Sequence, residues 1–239
     1  MKRNIYWILA TVLFIAVFAY FAAPLFKPPK QGNIETDPFW VVETSPQNPD
    51  YLKVFEITLN ESSLQDLIYI LGNRLSLSLF VEGDQKSLEG YIRETHIGGL
   101  TARIPFTLQL DEAEIESLMP FLTRSKMSTS KRQIYEIPEE YHGRFQQNKI
   151  ENIAFIPMAV NLDETVILGR FGDQPIKLQE ANNGPFHYLY PEKGVDISLD
   201  AKGEYRAIVQ YITPAEFEEK IMQPLIENGA EERPLLGEE

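Results

Sequence analysis

The sequence predicts an α+β protein: an N-terminal transmembrane helix followed by two tandem small α+β modules, each with an antiparallel sheet. Three observations predict it. An uncharged apolar run near the start is long enough to cross a bilayer. Farther on, apolar residues alternate with period two in some stretches and recur at i, i+3, i+4 in others. The order of these stretches is nearly the same in the two halves of the chain.

The run from Ile5 to Phe26 carries no charge. At ~1.5 Å per residue, about 22 residues cover a ~30 Å hydrocarbon core. Tyr6 and Trp7 near one end, and Tyr20 and Phe21 near the other, suit the two membrane interfaces. Lys2 and Arg3 keep residues 1–4 cytoplasmic, and Lys27 and Lys30 weaken that orientation without reversing it. The expectation is a single-pass protein of the bacterial inner membrane with a periplasmic C-terminal region. A cleaved signal peptide fits less well, because cuts near Ala22 or Ala23 put Tyr20 or Phe21 where a small residue is needed.

Composition narrows the partners. The chain has 239 residues, a net charge of -13 and no cysteine. An acidic surface repels nucleic acid and anionic lipid, which leaves a basic or neutral protein as the better partner. Without cysteine there is no disulfide, thiol chemistry or thiolate-held zinc, so packing has to stabilise the fold.

Residues 27–50 are rich in Pro, Gln, Asn and Asp and read as a semi-extended linker. Within it Phe39-Trp40-Val41-Val42 is an apolar island, either a strand docked on the domain or a partner-binding segment. The first module, 51–126, opens with a strand through Phe55, Ile57 and Leu59. Ser62 to Gln65 reads as a capping box for a helix that presents Leu64, Leu67, Ile68 and Leu71 on one face and stops at Gly72. Strands follow at Leu75 to Val81 and near Leu88 to Ile92. Another runs from Leu100 to Leu110, expected at a sheet edge because of Pro105. Asp111 and Glu114 cap a last helix with Ile115, Leu118, Met119 and Leu122 inward.

Residues 127–150 are a polar inter-module segment. The only basic cluster past the linker, Arg124, Lys126, Lys131 and Arg132, straddles its start and reads as solvated surface. The second module, 151–226, repeats the plan. A strand from Ile153 to Val160 leads to a helix capped by Asn161 and Glu164 and closed by Gly172. Extended segments follow at His187 to Tyr190, Val195 to Leu199 and Tyr205 to Ile212. Thr213-Pro214-Ala215-Glu216 then opens a helix with Phe217, Ile221 and Leu225 inward. The interval from helix-closing glycine to last cap, Gly72 to Asp111 and Gly172 to Thr213, is about 40 residues in both halves, which reads as duplication. Residues 227–239 form an acidic tail read as disordered.

Arg170-Phe171-Gly172-Asp173-Gln174-Pro175, with Tyr188-Leu189-Tyr190 and Gly194 to Leu199, resembles the SmpA/OmlA-like (BamE-type) module of outer-membrane lipoproteins in the β-barrel assembly machinery. The first half carries the likeness more faintly, at Ile70-Leu71-Gly72 and Gly99-Leu100. The chain departs from that family in having an apolar helix where the lipoproteins have a lipidated cysteine. As a whole it resembles single-pass envelope proteins of proteobacteria. The resemblance implies a scaffolding or assembly role and supplies no catalytic residues.

No arrangement of residues points to catalysis, a metal or a cofactor. His96, His142 and His187 are scattered, and none has a second ligand at metal-binding spacing. His142 follows Glu139-Glu140-Tyr141, a weak metal-site pattern that reads better as surface. Glu112 with Glu114, and Glu218 with Glu219, sit in helix first turns, where the macrodipole favours acid. Gly98-Gly99 and Asn182-Asn183-Gly184 are turns. The expected function is therefore a non-enzymatic periplasmic interaction or scaffold module, membrane-bound through the N-terminal helix, with another envelope protein as partner. Phe39, Trp40, Tyr188 and Tyr190 are the candidate contact residues. The alternative is a small-ligand sensor with its site between the two modules.

Overall fold

Period-two alternation dominates the folded chain, and the computed structural model of residues 36–83, 85–110, 112–125 and 132–235 turns it into strands. All of these residues lie within a single unit, Ile34–Glu239. Strands β1 (Glu43–Ser45), β2 (Asn48–Val54) and β3 (Ile57–Thr58) form a small antiparallel sheet, with a tight turn through Phe55 and Glu56, both at positive φ. Helix α1 (Leu64–Leu71) follows. Its cap is Ser63, reciprocated by Asp66, one residue later than the sequence pattern suggests. Next come β4 (Leu75–Glu82), β5 (Gln85–Ile97), β6 (Leu100–Leu108), α2 (Glu112–Leu118), β7 (Thr123–Arg124), β8 (Arg132–Ile137) and β9 (Ile150–Pro157).

The second half contains α3 (Glu164–Phe171), capped by Asp163, then β10 (Ile176–Gln179), β11 (Phe186–Tyr190), β12 (Val195–Leu199) and β13 (Ile208–Tyr211). A helical stretch then runs through α4 (Pro214–Phe217), a wider-turned segment Glu218–Met222 and α5 (Gln223–Glu227), before β14 (Glu231–Glu232).

These strands overturn the two-module fold. One antiparallel sheet of 11 strands, in the order β14-β10-β11-β12-β13-β9-β6-β5-β4-β8-β7, runs through both halves. The join is β9, which pairs with β13 on one side and β6 on the other. The duplication signal has a local origin, since each half contains a helix, a closing glycine and a strand. Gly72 (φ 101, ψ 166) and Gly172 (φ 118, ψ 159) have nearly the same conformation, and each donates its N–H four residues back, to Ile68 and Leu168. Between these glycines and the next helix, the first half has β4 to β6 and the second has β10 to β13. The extra strand breaks the repeat.

Other expectations change for equally physical reasons. Pro105 does not put β6 at an edge: β6 lies between β5 and β9, and its pairing with β9 lapses at Ile104 and Pro105, where a missing N–H costs nothing. The linker ends earlier than expected, because β1 and β2 form a hairpin whose Leu52 and Val54 enter the core. The polar inter-module segment contains β8, paired with β4 along its length. In the acidic tail, Glu231 and Glu232 pair with β10. The expected membrane helix, Asp111, Lys126, Lys131 and the end of the tail lie outside the described residues. Among the described residues, no helix is long and apolar enough to cross a membrane.

One apolar cluster occupies the face shared by α1, α3 and the sheet, from Leu77 and Leu79 on β4 to Tyr188 and Tyr190 on β11. Phe39 ties it together. Its ring stacks on Phe155 at 4.6 Å and meets Phe171 at 5.9 Å, and the buried Tyr211 hydroxyl donates to its carbonyl. Full burial of such a side chain contributes about 1.5–3 kcal/mol. A smaller cluster on the opposite face, Leu178, Leu189, Ile212, Phe217 and Ile221, seats the helical stretch that begins at α4.

Candidate functional site

Alternation along β11 sends Tyr188 and Tyr190 to the main core and His187 and Leu189 to the opposite face, so one strand holds two polar clusters. On the core side, Lys177 from β10 lies directly across from Tyr188. Its Nζ is 2.7 Å from Glu164 Oε2, and the Tyr188 hydroxyl donates to the same oxygen at 2.8 Å. The Lys177 and Glu164 side chains are 9% and 7% exposed. Lys177 also donates to the Pro234 carbonyl at 3.0 Å and lies over the rings of Phe186 and Tyr188. Burial, then the Glu164 carboxylate, push the Tyr188 phenol far above its ordinary pKa. Tyr190, chiefly through burial, is pushed up to about 12, and its hydroxyl donates to the Gly172 carbonyl at 2.7 Å. Lys193 Nζ donates to the Phe171 carbonyl, so both side chains serve the open C-terminal end of α3.

On the other face, His187 is held between two acids. Its Nδ1 meets Asp196 Oδ1 at 2.9 Å and its Nε2 meets Glu180 Oε1 at 3.1 Å. Burial alone would lower the imidazole pKa, but Asp196 and then Glu180 outweigh it and hold the pKa above its ordinary value. With both nitrogens protonated, the ring donates to both carboxylates. Ser198 lies across from His187 in the β11–β12 ladder, so an aspartate, a histidine and a serine share one sheet face. A catalytic triad needs Nε2 to accept the serine proton. Here Nε2 points at Glu180, an arrangement that favours the protonated ring between two acids and gives no nucleophile its base.

The remaining sequence candidates are spread across the molecule. Phe39, Tyr188 and Tyr190 are buried at 2%, 2% and 7% exposure, which removes them as a contact surface. Trp40 is half-buried under the Arg170 guanidinium, 4.3 Å from its ring centre. All four are aromatic, and in a mostly β fold aromatic residues fill the core first. His142 Nε2 meets the Ile137 carbonyl at 3.0 Å, and His96 is exposed. Glu218 and Glu219 are exposed as well. Arg132 lies over the Phe80 ring at 4.4 Å and reaches Glu89 at 3.3 Å. Among the described residues, no group of three or more His, Asp or Glu side chains could hold a metal ion.

Sequence reading missed Glu164, Lys177, Glu180 and Asp196. Glu164 reads in the sequence as the capping partner of Asn161, and the other three gain their neighbours through the pairing of β10, β11 and β12. The period-two pattern around His187, set against that of Asp196 and Ser198, was the one usable signal.

Two open grooves lie on the surface, the first of them beside Lys177. One, of about 570 Å³, is lined by Asp173 to Lys177 and by Glu232 to Leu235. The other, of about 670 Å³, is lined by Phe80, Lys86, Arg132, Glu151 and Lys220 among others. Comparison of the chain with protein families, with curated proteins and with solved structures finds no match.

Proposed function

We propose that this chain is a non-catalytic interaction module, held at a membrane by the run Ile5 to Phe26, with its folded unit outside the cytoplasm. One observation carries the interaction reading: an apolar ridge that the fold leaves in water. Phe121 is 56% exposed, Met119 beside it is 36% exposed, and Tyr141 lies 5.6 Å from the Phe121 ring centre. Exposed aromatic and methionine side chains grouped in this way are the usual anchors of a protein interface. The net charge of -13 favours a neutral or basic envelope protein as partner. The resemblance around Arg170 to Pro175 points toward the same scaffolding role. Nothing among the described residues positively indicates catalysis. The sensor alternative loses its premise, because the ladder from β6 through β9 to β13 has no seam between modules.

Two measurements test this. A photoreactive residue at Phe121, in intact membranes, is expected to crosslink one defined envelope protein, and Phe121→Asp in an otherwise unlabelled chain to weaken its co-purification. Identical capture from Tyr205, which is 76% exposed and away from the ridge in sequence, would count against the ridge. For orientation, a single cysteine at Glu204 in this cysteine-free chain should react with a membrane-impermeant maleimide in intact spheroplasts. Reaction only after lysis would place the folded unit in the cytoplasm.

A further inference from the structure

Strand β10 is the point where the sheet would stop if the segment Glu231–Leu235 were not lying along it. Helix α5 ends in a Schellman turn: Gly229, at φ 84, donates to the Ile226 carbonyl at 2.9 Å, and Ala230 donates to Leu225 at 3.0 Å. That turn reverses the chain, and Glu231 and Glu232 pair with Gln179 and Leu178. The Arg233 N–H continues the ladder to the Lys177 carbonyl at 2.9 Å.

The segment is recognised by side chains as well as backbone. Arg233 Nε donates to Gln179 Oε1 at 3.0 Å, and Lys177 Nζ donates to the Pro234 carbonyl at 3.0 Å. Leu235 packs on the main core cluster. Yet the fit is loose. Glu231 to Pro234 are all exposed, and the groove of about 570 Å³ remains open between this segment and Asp173 to Lys177. A two-residue strand with exposed backbone and one half-buried anchor belongs to the low-stability end of a fold. A sheet edge covered so lightly can accept another strand.

We propose that the outer edge of β10 is a strand-addition site for an extended five-residue peptide segment with a basic N–H donor side chain at its third position and an aliphatic residue at its fifth. The chain's own Glu231-Glu232-Arg233-Pro234-Leu235 occupies the site until such a partner segment replaces it. The partner chemistry follows from the groups that read the resident segment. The ladder edge takes any extended backbone, Gln179 takes an N–H donor side chain, Lys177 takes the carbonyl of the fourth residue, and the core beneath Leu235 takes an aliphatic side chain. The inference depends on neither the membrane anchor nor the Phe121 ridge.

The test uses the full chain in detergent micelles and a fluorescein-labelled synthetic peptide, Gly-Ala-Glu-Glu-Arg-Pro-Leu-Leu, read by fluorescence anisotropy. In the variant Arg233→Ala/Leu235→Asp the resident segment loses its side-chain anchors while β10 is untouched. The expected result is peptide binding at least tenfold tighter than to the wild-type chain, because the site is no longer occupied in cis. A scrambled peptide should bind neither chain. Where circular dichroism shows the double variant misfolded, Leu235→Asp alone serves, with the same direction expected. Equal binding by wild type and a folded variant, or equal binding of the scrambled peptide, overturns the proposal. Dimers of the variant that take up no peptide overturn it as well, in favour of segment exchange between two copies.

Discussion

Helices α1 and α3 end in the same way and are finished by different chemistry. Each runs into a glycine of nearly the same φ and ψ, and each leaves carbonyls that need donors. At α1 the donor is neutral: Thr95 Oγ1 reaches the Leu71 carbonyl at 2.9 Å, and the helix buries Leu64, Leu67 and Leu71. At α3 the donors are Lys193 and Tyr190, and the buried first-turn residue is a charged Glu164 held by Lys177 and Tyr188. One backbone plan is therefore closed by a neutral hydroxyl over apolar packing in the first half and by an ionic framework in the second. Shared helix-glycine-strand spacing reports the backbone and says little about what the side chains do.

The sharpest way to break the comparison is to remove the cation from the second half. Lys177→Ala leaves the Glu164 carboxylate buried without the Lys177 ammonium, and the expected loss is about 3–5 kcal/mol in chemical denaturation. The double change Lys177→Met/Glu164→Leu should recover much of that loss, since an apolar pair of similar volume avoids the desolvation of two charges. In the first half the matching blow is apolar. Leu67→Ala, at a fully buried position on α1, is expected to cost about 2–5 kcal/mol, and no second substitution at a charged site should rescue it.

Smaller effects come from the helix ends. Thr95→Val keeps the side-chain shape and removes the donor to the Leu71 carbonyl, for an expected loss of about 1–3 kcal/mol. Hydrogen exchange should show the loss concentrated in the last turn of α1. An equal loss throughout the sheet would mean that Thr95 acts through packing alone.

What the sequence makes legible follows from the range of each interaction. Helix α1, its closing Gly72, the inward set Leu64, Leu67 and Leu71, and the alternating strands all depend on neighbours a few residues away. They can be read from the chain directly. The pairing of β6 with β9 cannot, because it joins segments whose patterns are each compatible with an independent small sheet. That one unseen strand pairing turned a single sheet into two predicted modules. Tyr188 and Tyr190 resist a direct reading for a related reason. An aromatic side chain favours a buried β face and an interface alike, and only the register of β11 shows that Tyr188 and Tyr190 point inward while His187 points the other way.

The last comparison sets the two faces of β11 against each other, through pH. Tyr188 does not change charge in the ordinary range, whereas His187 does, with its folded-state pKa held above the unfolded value of 6.5 by Asp196 and Glu180 against the opposing effect of burial. A group whose pKa rises on folding stabilises the fold while it is protonated in both states. That contribution is complete below pH 6.5 and is lost as the pH climbs through the higher folded-state value. Urea midpoints should therefore fall as the pH is raised from 6 toward 9, and His187→Gln should flatten that part of the profile. The effect is expected to be the smallest of the series, because the Glu180 side chain is 45% exposed and water screens its share of the attraction. A profile unchanged by His187→Gln would assign the pH dependence to other groups and leave the buried Asp196 pairing with a neutral imidazole, which donates through Nδ1 alone.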